Sequence, residues 1–330
     1  MSSGEAPSAA MLTVFSERRS DLLITAREVR ADSVISLTLA DPAGAQLPAW
    51  TPGAHIDLLL GDAVRQYSLC GAPGDQHTWR IAVLLDPNGR GGSRQVHETL
   101  NLGDQVAVRG PRNHFPLHAA PRYLFIAGGI GITPMLPMIA VAAEAGSDWW
   151  LYYGGRSLSS MAFLDELAPY GERVVLWPED ERGLLPLDEI LGQPAGGALV
   201  YCCGPEGLLA ATEQKCSAWP AGALHLERFT PKPQAAPADG AEAAFDVVCQ
   251  RSGVTVTVPP GTSIIEALEE QGVSVLSSCQ EGVCGTCETR VLEGIPDHRD
   301  SLLSEDEREA NEYMMVCVSR SKSERLVLDL

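Results

Sequence analysis

The hydrophobic pattern divides the chain into three regions with different rhythms. Between residues 21 and 118, short apolar and β-branched runs such as "VISLTLA", "HIDLLL" and "RIAVLL" alternate with turns rich in Gly, Pro and Asp. Several short strands at this spacing predict an antiparallel β-barrel. One short helix is predicted over "SRQVHETL", directly after a Gly-Gly pair.

Between residues 119 and 230, strands alternate with helices. The runs "RYLFIAG", "WWLYYGGR", "RVVLWPED", "GALVYCCGP" and "HLERF" are predicted strands, and "MLPMIAVAAEAG", "AFLDELAPYG" and "PLDEILGQ" are predicted helices. This alternation predicts βαβ units and a parallel sheet.

Residues 231–243 are rich in Pro and Ala without an apolar period, which predicts a linker. Residues 244–330 follow with two strands, the amphipathic helix "SIIEALEEQGV", a cysteine-rich loop and the strands "CETRVLEG", "YMMVCV" and "RLVLDL". The acidic stretch "SEDEREANE" lies among them, and residues 1–20 are predicted to be a flexible leader. The chain is therefore predicted to be a multidomain protein.

Composition limits the cellular compartments and the classes of partner that we expect for this protein. No apolar run approaches the roughly 20 residues that span a bilayer, and the N-terminus lacks the regions of a signal peptide. We therefore expect a cytoplasmic monomer that does not bind membranes. The formal net charge of -19 argues against nucleic acid as a partner. It suits docking on a more basic protein, although it also serves solubility alone.

Four of the nine cysteines are spaced as a candidate metal site. Cys279, Cys284 and Cys287 follow the pattern Cys-x4-Cys-x2-Cys, and 29 residues separate the last of them from Cys317. This is the plant-type spacing of a [2Fe-2S] cluster. A structural zinc site favours two short Cys-x2-4-Cys pairs, and disulfides are disfavoured in a reducing cytosol. The spacing thus favours an iron–sulfur cluster, with Cys317 supplied by a separate strand.

Two further patterns predict phosphate and nucleotide sites. "FIAGGIGITPM" places glycines between a strand and a helix, where the unpaired N–H groups of the helix attract phosphate. "YCCGP" ends another strand of the parallel sheet, and ligands bind at the carboxyl ends of such strands. A glycine cluster alone is weak evidence, and Cys203 is alternatively a buried strand thiol.

In the barrel, "RQYSLC" places Arg65 and Tyr67 on one strand face and Ser68 on the other. Gly91, Gly92 and Ser93 precede the predicted short helix, which makes them a second candidate phosphate site. By itself the strand is an ordinary strand with one aromatic residue.

These motifs together carry a family resemblance. "SCQEGVCGTC" resembles the loop of plant-type ferredoxins, which implies a β-grasp fold for the last domain. "GGIGITP", "CGP" and R-x-Y-S resemble the ferredoxin–NADP reductase superfamily. The domain order, with "RGGS" and the terminal "ERF", resembles the phthalate dioxygenase reductase family, which includes vanillate demethylase reductases. The resemblance covers residues 20 to 330.

The resemblance implies specific cofactors and roles. It implies FMN in the barrel, NADH at the parallel sheet and a [2Fe-2S] cluster in the last domain. One iron would be held by Cys279 and Cys284, and the other by Cys287 and Cys317. Ser68, Cys203 and Phe229 would be catalytic. The implied flavin and nucleotide ligands are Arg65, Tyr67, Ser68, Gly91, Gly92, Ser93, Gly129, Gly131, Thr133, Pro134, Arg156, Cys203, Gly204, Pro205, Glu227 and Phe229. Arg156 follows the strand "LYYGG" and could bind a 2'-phosphate, stack on adenine or face solvent. Phe229 alternatively packs a domain edge.

The implied function is electron transfer from NADH through FMN and the cluster to a Rieske-type terminal oxygenase of an aromatic substrate. Residues 244–330 carry 16 acidic against seven basic side chains, which suits transient docking on a basic partner. NADPH as donor, FAD as flavin, or another electron acceptor are the alternatives. A metal-stabilised interaction protein or an iron–sulfur sensor would not need the flavin and nucleotide motifs.

Overall fold

A computed structural model describes residues 19–61, 63–232 and 242–330. Their strands form three large sheets and one small sheet of two strands. Most of the predicted leader and of the predicted linker, residues 1–18 and 233–241, lies outside the described residues.

The first sheet is the predicted antiparallel barrel. It contains six strands in the order β4-β3-β6-β1-β2-β5. Their bounds are β1 (Arg19–Ala31), β2 (Val34–Ala40), β3 (His55–Leu60), β4 (Ala63–Ser68), β5 (Thr78–Leu84) and β6 (Gln105–Arg112). A bridge between Leu69 and Ile81 connects the two ends of this order. Helix α1 (Gly92–Thr99) buries Val96 in the barrel core with Leu58 and Trp79.

The second sheet is parallel, as predicted. It contains five strands in the order β11-β10-β7-β8-β9. Their bounds are β7 (Arg122–Gly128), β8 (Asp148–Gly155), β9 (Val174–Pro178), β10 (Ala198–Cys203) and β11 (Leu224–Glu227). The helices are α2 (Met135–Glu144), α3 (Leu164–Leu167), α4 (Glu179–Arg182), α5 (Leu187–Leu191) and α6 (Glu206–Lys215). The strand order reverses between β7 and β10, which is where such sheets bind ligands.

One helix prediction in this region was wrong, and one helix was not predicted. The helix predicted over "AFLDELAPYG" is limited to α3 and a following 3-10 segment, Ala168–Arg173. Gly171 has a φ of 57° there, which the α-helix does not permit. Helix α6 was missed because its apolar residues do not follow a clear 3.6-residue period.

The third sheet mixes parallel and antiparallel strands in the order β13-β12-β18-β14-β16. The strands of this region are β12 (Phe245–Cys249), β13 (Thr255–Val258), β14 (Glu288–Glu293), β15 (Pro296–Asp297), β16 (Tyr313–Met315), β17 (Arg320–Ser321) and β18 (Arg325–Leu328). Helices α7 (Ile264–Glu270) and α8 (Glu305–Ala310) both begin with a Ser…Glu capping box. Helix α7 buries Ile264 and Leu268 against this sheet, which agrees with the predicted β-grasp fold.

The strand predicted to supply Cys317 ends earlier than expected. Strand β16 stops at Met315, and Cys317 lies in the turn that follows. The backbone N–H of Ser319 bonds to the carbonyl of Met315, so the chain turns at the cysteine. A turn lets the Cys317 side chain face the cysteine loop without obeying the alternation of a strand.

A charged contact joins the barrel to the parallel sheet region. Arg80 of β5 donates two hydrogen bonds of 2.7 Å to the carboxylate of Glu166, and its guanidinium lies over the Phe163 ring. Arg80 also donates to the carbonyl of Cys70.

None of the helices in residues 19–61, 63–232 and 242–330 has the combined length and apolar character that crossing a bilayer requires.

We expect Arg80→Ala to destabilise the protein by about 2 kcal/mol, because a bidentate charged hydrogen bond is lost in a partly buried place. Urea unfolding followed by tryptophan fluorescence measures this loss. Arg122→Ala is the matched control, since Arg122 and Asp148 form a half-exposed pair at 3.4 Å. Such a pair contributes about 0–1 kcal/mol. Equal effects of the two variants would contradict the prediction.

Candidate functional site

One cleft lies where the barrel, the end of the parallel sheet and the cysteine loop meet. These three segments are far apart in the sequence, and each supplies residues to the cleft. The lining consists of His55, Val64, Arg65, Gln66, Ser68, Arg90, Glu227, Arg228, Phe229, Cys279, Glu281, Val283 and Cys284. Predicted flavin residues and predicted cluster ligands therefore share one cavity.

The two predicted phosphate elements of the barrel lie together. Arg65 packs so closely on Gly92 that a Cβ there would meet its side chain, and Arg65 Nη2 donates to the carbonyl of Arg90 at 3.4 Å. Gly91 precedes α1 with a φ of 85°, and Ser93 Oγ accepts from the N–H of Asp86 at 3.1 Å. A guanidinium at the first turn of a helix fits a phosphate group.

Ser68 and Tyr67 have different surroundings. Ser68 is buried at the cleft, and its Oγ makes no close hydrogen bond among the described residues, although it lies near enough to the Glu227 carboxyl to lower the pKa of that group. A buried hydroxyl without a close hydrogen bond beside a cleft fits a polar ligand there. Tyr67 packs against the barrel core and does not line the cleft, and burial raises its pKa to about 12.

Glu227 and Cys203 form a second pair beside Ser68. The Cys203 thiol donates to Oε2 of Glu227 at 3.9 Å. Desolvation raises the pKa of Glu227 to about 8, against the opposing influence of Cys203 and Ser68. Burial, and then Glu227, raise the pKa of Cys203 well above its usual range. Both groups therefore hold a proton at neutral pH. Phe229, 43 % exposed, lines the same cleft.

The two nucleotide motifs meet at the reversal of strand order. Cys203 at the end of β10 is in register with Ala127 near the end of β7. A Cβ on Gly131 would overlap the carbonyl group of Cys203, and one on Gly204 would lie 3.0 Å from Gly128. Glycine is therefore required where the two turns touch, and this leaves backbone N–H groups open to a phosphate.

The remaining predicted nucleotide residues surround this contact. Gly129 has a φ of 54°, and buried Thr133 donates from its Oγ1 to the carbonyl of Ile130. Pro134 and Pro205 are the N-caps of α2 and α6. Arg156 is exposed just beyond β8, and its carbonyl accepts from the N–H of Asp180.

The cysteine loop requires its glycines. Gly282 and Gly285 have φ angles of 71° and 70°, as a tight wrap predicts. A Cβ on Gly282 would meet Val318 and the backbone of Asp300, and one on Gly285 would collide with the His114 imidazole. Larger residues would therefore push the loop away from its surroundings.

The four predicted ligands are buried and adjacent. The Cys279 thiol contacts those of Cys284 and Cys317, and these contacts hold its pKa well below the usual range. Cys287 is paired in the same way with Cys317. The backbone N–H of Glu281 points to Cys279 Sγ at 3.2 Å, as a cluster's sulfur ligands require. All nine cysteines are free of disulfides.

Within residues 19–61, 63–232 and 242–330, no three His, Cys, Asp or Glu side chains are arranged to hold a single ion. The contacts of Cys279 with Cys284 and Cys317, and of Cys287 with Cys317, instead join the four thiols into one group, and a two-iron cluster needs four thiolates. The donor set and the glycine loop fit such a cluster.

Sequence reasoning missed several residues of the cleft. His55 is buried, and its ring lies 6.0 Å from that of His114. Burial, with the charge of Arg112, lowers the pKa of His55 to about 3, so the ring is neutral. Gln66 and Glu281 were also missed. The available signal was Asp57, a charged residue inside the apolar strand "HIDLLL". Charged side chains are seldom buried in a strand unless they interact with a specific partner.

Two family models match the chain. Residues 247–322 match a 2Fe-2S iron–sulfur cluster binding domain, and residues 125–178 match an oxidoreductase NAD-binding domain. They confirm the predicted cluster and nucleotide domains. The barrel fits the predicted flavin, FMN.

Three relatives illustrate the likeness. The chain is 45% identical over 303 residues to the phenoxybenzoate dioxygenase subunit beta of Ectopseudomonas oleovorans, covering 91% of this chain and 94% of the relative. It is 36% identical to the structure of phthalate dioxygenase reductase, with a TM-score of 0.69 and coverages of 96% and 98%. An intact type IV self-sufficient cytochrome P450 monooxygenase is 44% identical, with a TM-score of 0.90. That match covers 94% of this chain but only 41% of the monooxygenase.

The raised pKa of Glu227 generates a pH prediction. The native protein retains this proton up to about pH 8, whereas the unfolded chain releases it near pH 4.5, so the stability contributed by this group falls as pH rises between these values. We expect the thermal midpoint of Glu227→Gln to exceed that of the natural chain by a margin that grows from about pH 5 to about pH 8.

The carboxylic C=O infrared band that is lost near pH 8 should be absent in Glu227→Gln and retained in Glu98→Gln, a change at an exposed position of α1. A band that has already disappeared at about pH 6 in the natural chain would contradict the assignment.

Fold, site and relatives agree on one identity. The three-domain layout extends over nearly the whole length of phthalate dioxygenase reductase, and the cleft brings together residues of the R-x-Y-S strand, of "ERF" and of the cysteine loop. The chain therefore belongs to the phthalate dioxygenase reductase family of NAD-binding, [2Fe-2S] oxidoreductases.

Proposed function

We propose that this chain is the reductase component of an oxygenase system, carrying electrons from NADH through FMN and a [2Fe-2S] cluster to a Rieske-type terminal oxygenase. The observation that carries the proposal is the single cleft lined by Ser68, Glu227, Phe229, Cys279 and Cys284. A flavin accepts the electron pair of a nicotinamide hydride and releases electrons singly, as a one-electron cluster requires. The chain's own residues supply position and electrostatics.

The barrel would hold FMN by its phosphate and its ring edge. Arg65, with Gly91, Gly92 and Ser93 at the start of α1, would bind the phosphate. The Ser68 hydroxyl, which makes no close hydrogen bond among the described residues, would offer one to the ring, and Tyr67 would stiffen the strand from the barrel core. Phe229 would cover the cleft and exclude water.

Cys203 and Glu227 would serve the nicotinamide end. Because both hold protons at neutral pH, they offer hydrogen-bond donors without adding negative charge to the cleft. The turn of Gly129, Gly131, Thr133 and Pro134, opposite Gly204 and Pro205, would bind the pyrophosphate.

The charge around Arg156 supports NADH over NADPH as donor. The exposed acidic run Glu179–Asp180–Glu181 lies next to Arg156, because the backbone N–H of Asp180 donates a hydrogen bond to the carbonyl of Arg156. Carboxylates accept hydrogen bonds from ribose hydroxyls and repel a 2'-phosphate.

We propose an FMN-binding domain over residues 21–118, an NAD-binding domain over residues 119–230 and a cluster domain over residues 244–330. Residues 231–243 would link the last two domains. Cys279, Cys284, Cys287 and Cys317 would ligate the irons. We also expect a cytoplasmic monomer, because the acidic surface favours transient docking over permanent assembly.

The partner would dock beside the cluster. The acidic helix α8 precedes β16, the strand that leads to Cys317, and its Glu307 influences both His114 and Glu288 near the cysteine loop. The carboxylates of Glu305, Asp306, Glu307 and Glu309 are exposed on this helix, and that of Glu307 also caps its N-terminus through Ser304. A basic face of an oxygenase would be steered toward such a surface.

A cytochrome P450 is the second candidate acceptor. The specific observation is the 44% identity and TM-score of 0.90 to a self-sufficient P450 monooxygenase over 94% of this chain. A reductase so similar to part of a P450 monooxygenase could pass electrons to a haem as well as to a Rieske centre.

We expect Cys287→Ser to lose iron and sulfide while NADH still bleaches the flavin without oxygen, because the flavin site does not include this residue. Cytochrome c reduction should fall to that of cluster-free protein. Cys249→Ser, a buried cysteine of the same domain outside the loop, is the control and should leave the cluster in place. Mass spectrometry of the released flavin should give FMN, and NADPH should be the slower donor. Unchanged cytochrome c reduction would contradict the proposed route.

We expect Glu305→Gln, Asp306→Asn and Glu309→Gln together to lower kcat/KM for the oxygenase component of phenoxybenzoate dioxygenase about five- to tenfold at low salt. The variant would attract the basic face of the oxygenase less strongly, and salt screens this attraction. The difference in kcat/KM between the variant and the natural chain should therefore shrink as salt rises. Glu98→Gln, Glu144→Gln and Glu172→Gln change the charge equally, outside the cluster domain, and should have little effect. Faster turnover with a purified P450 than with the Rieske oxygenase would favour the second acceptor.

A further inference from the structure

A buried carboxylate lies in the barrel wall behind the cysteine loop. Asp57 of β3 is fully buried between apolar neighbours. Arg112 Nη2 lies 2.5 Å from its Oδ1, and Arg109 Nη2 lies 2.9 Å from its Oδ2. Gln66 of β4 donates from its Nε2 to the same Oδ1 at 3.1 Å. Three strands of the barrel are thus tied together by one carboxylate.

Two members of this group also reach the last domain. Gln66 Nε2 donates to Ser278 Oγ, and Arg109 Nη2 donates to the carbonyl of Ser277 at 3.1 Å. Ser277 and Ser278 directly precede Cys279, which lines the cleft. The barrel therefore holds the chain at the residues next to a cluster ligand.

Two more contacts hold the same loop farther along. Arg90 forms an ion pair of 3.0 Å with Glu281, and the His114 imidazole fills the space beside Gly285. The Arg90 pair is largely exposed and adds little energy. The Asp57 group is buried, so its hydrogen bonds carry the stronger geometric restraint.

Stability alone does not explain a buried ion group at this place. Desolvation opposes the ionisation of Asp57, but Arg112, Gln66 and Arg109 together lower its pKa and keep it charged. Apolar replacements of buried ion pairs are often neutral or stabilising, whereas directional hydrogen bonds fix relative position. Here the hydrogen bonds of Gln66 and Arg109 fix the position of the cysteine loop at Ser278 and Ser277.

We propose that Asp57, Arg109 and Gln66 are positioning residues that hold the cysteine loop against the cleft and so set the approach of Cys279 to the flavin site. Asp57 orients the Arg109 and Gln66 side chains, and these two bond to the loop. The part of this inference that concerns electron transfer rests on the proposed function, whereas the contact itself does not.

The test is a double-mutant cycle on the bond between Gln66 and Ser278 in the full, cofactor-loaded protein. Gln66→Leu and Ser278→Ala each remove one partner, and Ser278→Thr keeps the hydroxyl. Hydrogen exchange of the peptide covering residues 272–284 reports the loop directly. Loss of one hydrogen bond should accelerate exchange about three- to tenfold in either single variant, and the double variant should resemble each single one. Ser278→Thr should restore protection.

Stopped-flow mixing with NADH without oxygen supplies the second readout. Cluster bleaching should slow about three- to tenfold in Ser278→Ala, whereas flavin bleaching and the cluster's EPR signal should not change, because Ser278 does not line the cleft. Gln105→Leu is the matched control, because Gln105 is exposed at the start of β6, the strand that carries Arg109.

Unchanged exchange in both single variants would overturn the proposal. So would faster exchange with unchanged cluster bleaching, because the contact would then not set the transfer. If NADH failed to bleach the cluster even in the natural chain, the proposed function would be contradicted, and the exchange cycle would still decide the contact.

Discussion

The close packing of the cysteine loop on the barrel is the constraint from which the site follows. The His114 ring occupies the space that a side chain at position 285 would need, so only glycine allows the loop to lie there. Gly282 meets the same limit against Asp300 and Val318. Because the backbone approaches so closely, Cys279 and Cys284 open onto the cleft that Ser68 and Glu227 line from the other side.

A second close approach serves the nucleotide end in the same way. Strands β7 and β10 are neighbours although β8 and β9 lie between them in the chain, and their terminal turns touch at Gly131 and Cys203. This reversal of strand order creates the crevice in which parallel sheets bind ligands. It also brings the Cys203 thiol to Glu227 at the end of the neighbouring strand β11, where burial keeps both groups protonated.

Charged groups join the three regions. Arg80 and Glu166 connect the barrel to the parallel sheet region, and the Asp57 group connects the barrel to the cysteine loop. Apolar contact alone permits sliding between domains, whereas directional hydrogen bonds specify one arrangement. An electron-transfer protein needs such a specified arrangement because its cofactors have to lie close together.

The sequence by itself determined the local features of this protein. The spacing of Cys279, Cys284 and Cys287, the glycines of "GGIGITP" and the strand rhythms each follow from neighbouring residues, so they could be recognised along the chain. Prediction failed where local signals were weak, as at α6, or where a proline and a glycine shortened a helix, as at α3. Only the tertiary structure decided which segments share the cleft, because Gln66 and Ser278 are 212 residues apart and no periodicity joins them. It also decided the protonation of Glu227, since burial by distant segments raises that pKa and no local pattern does.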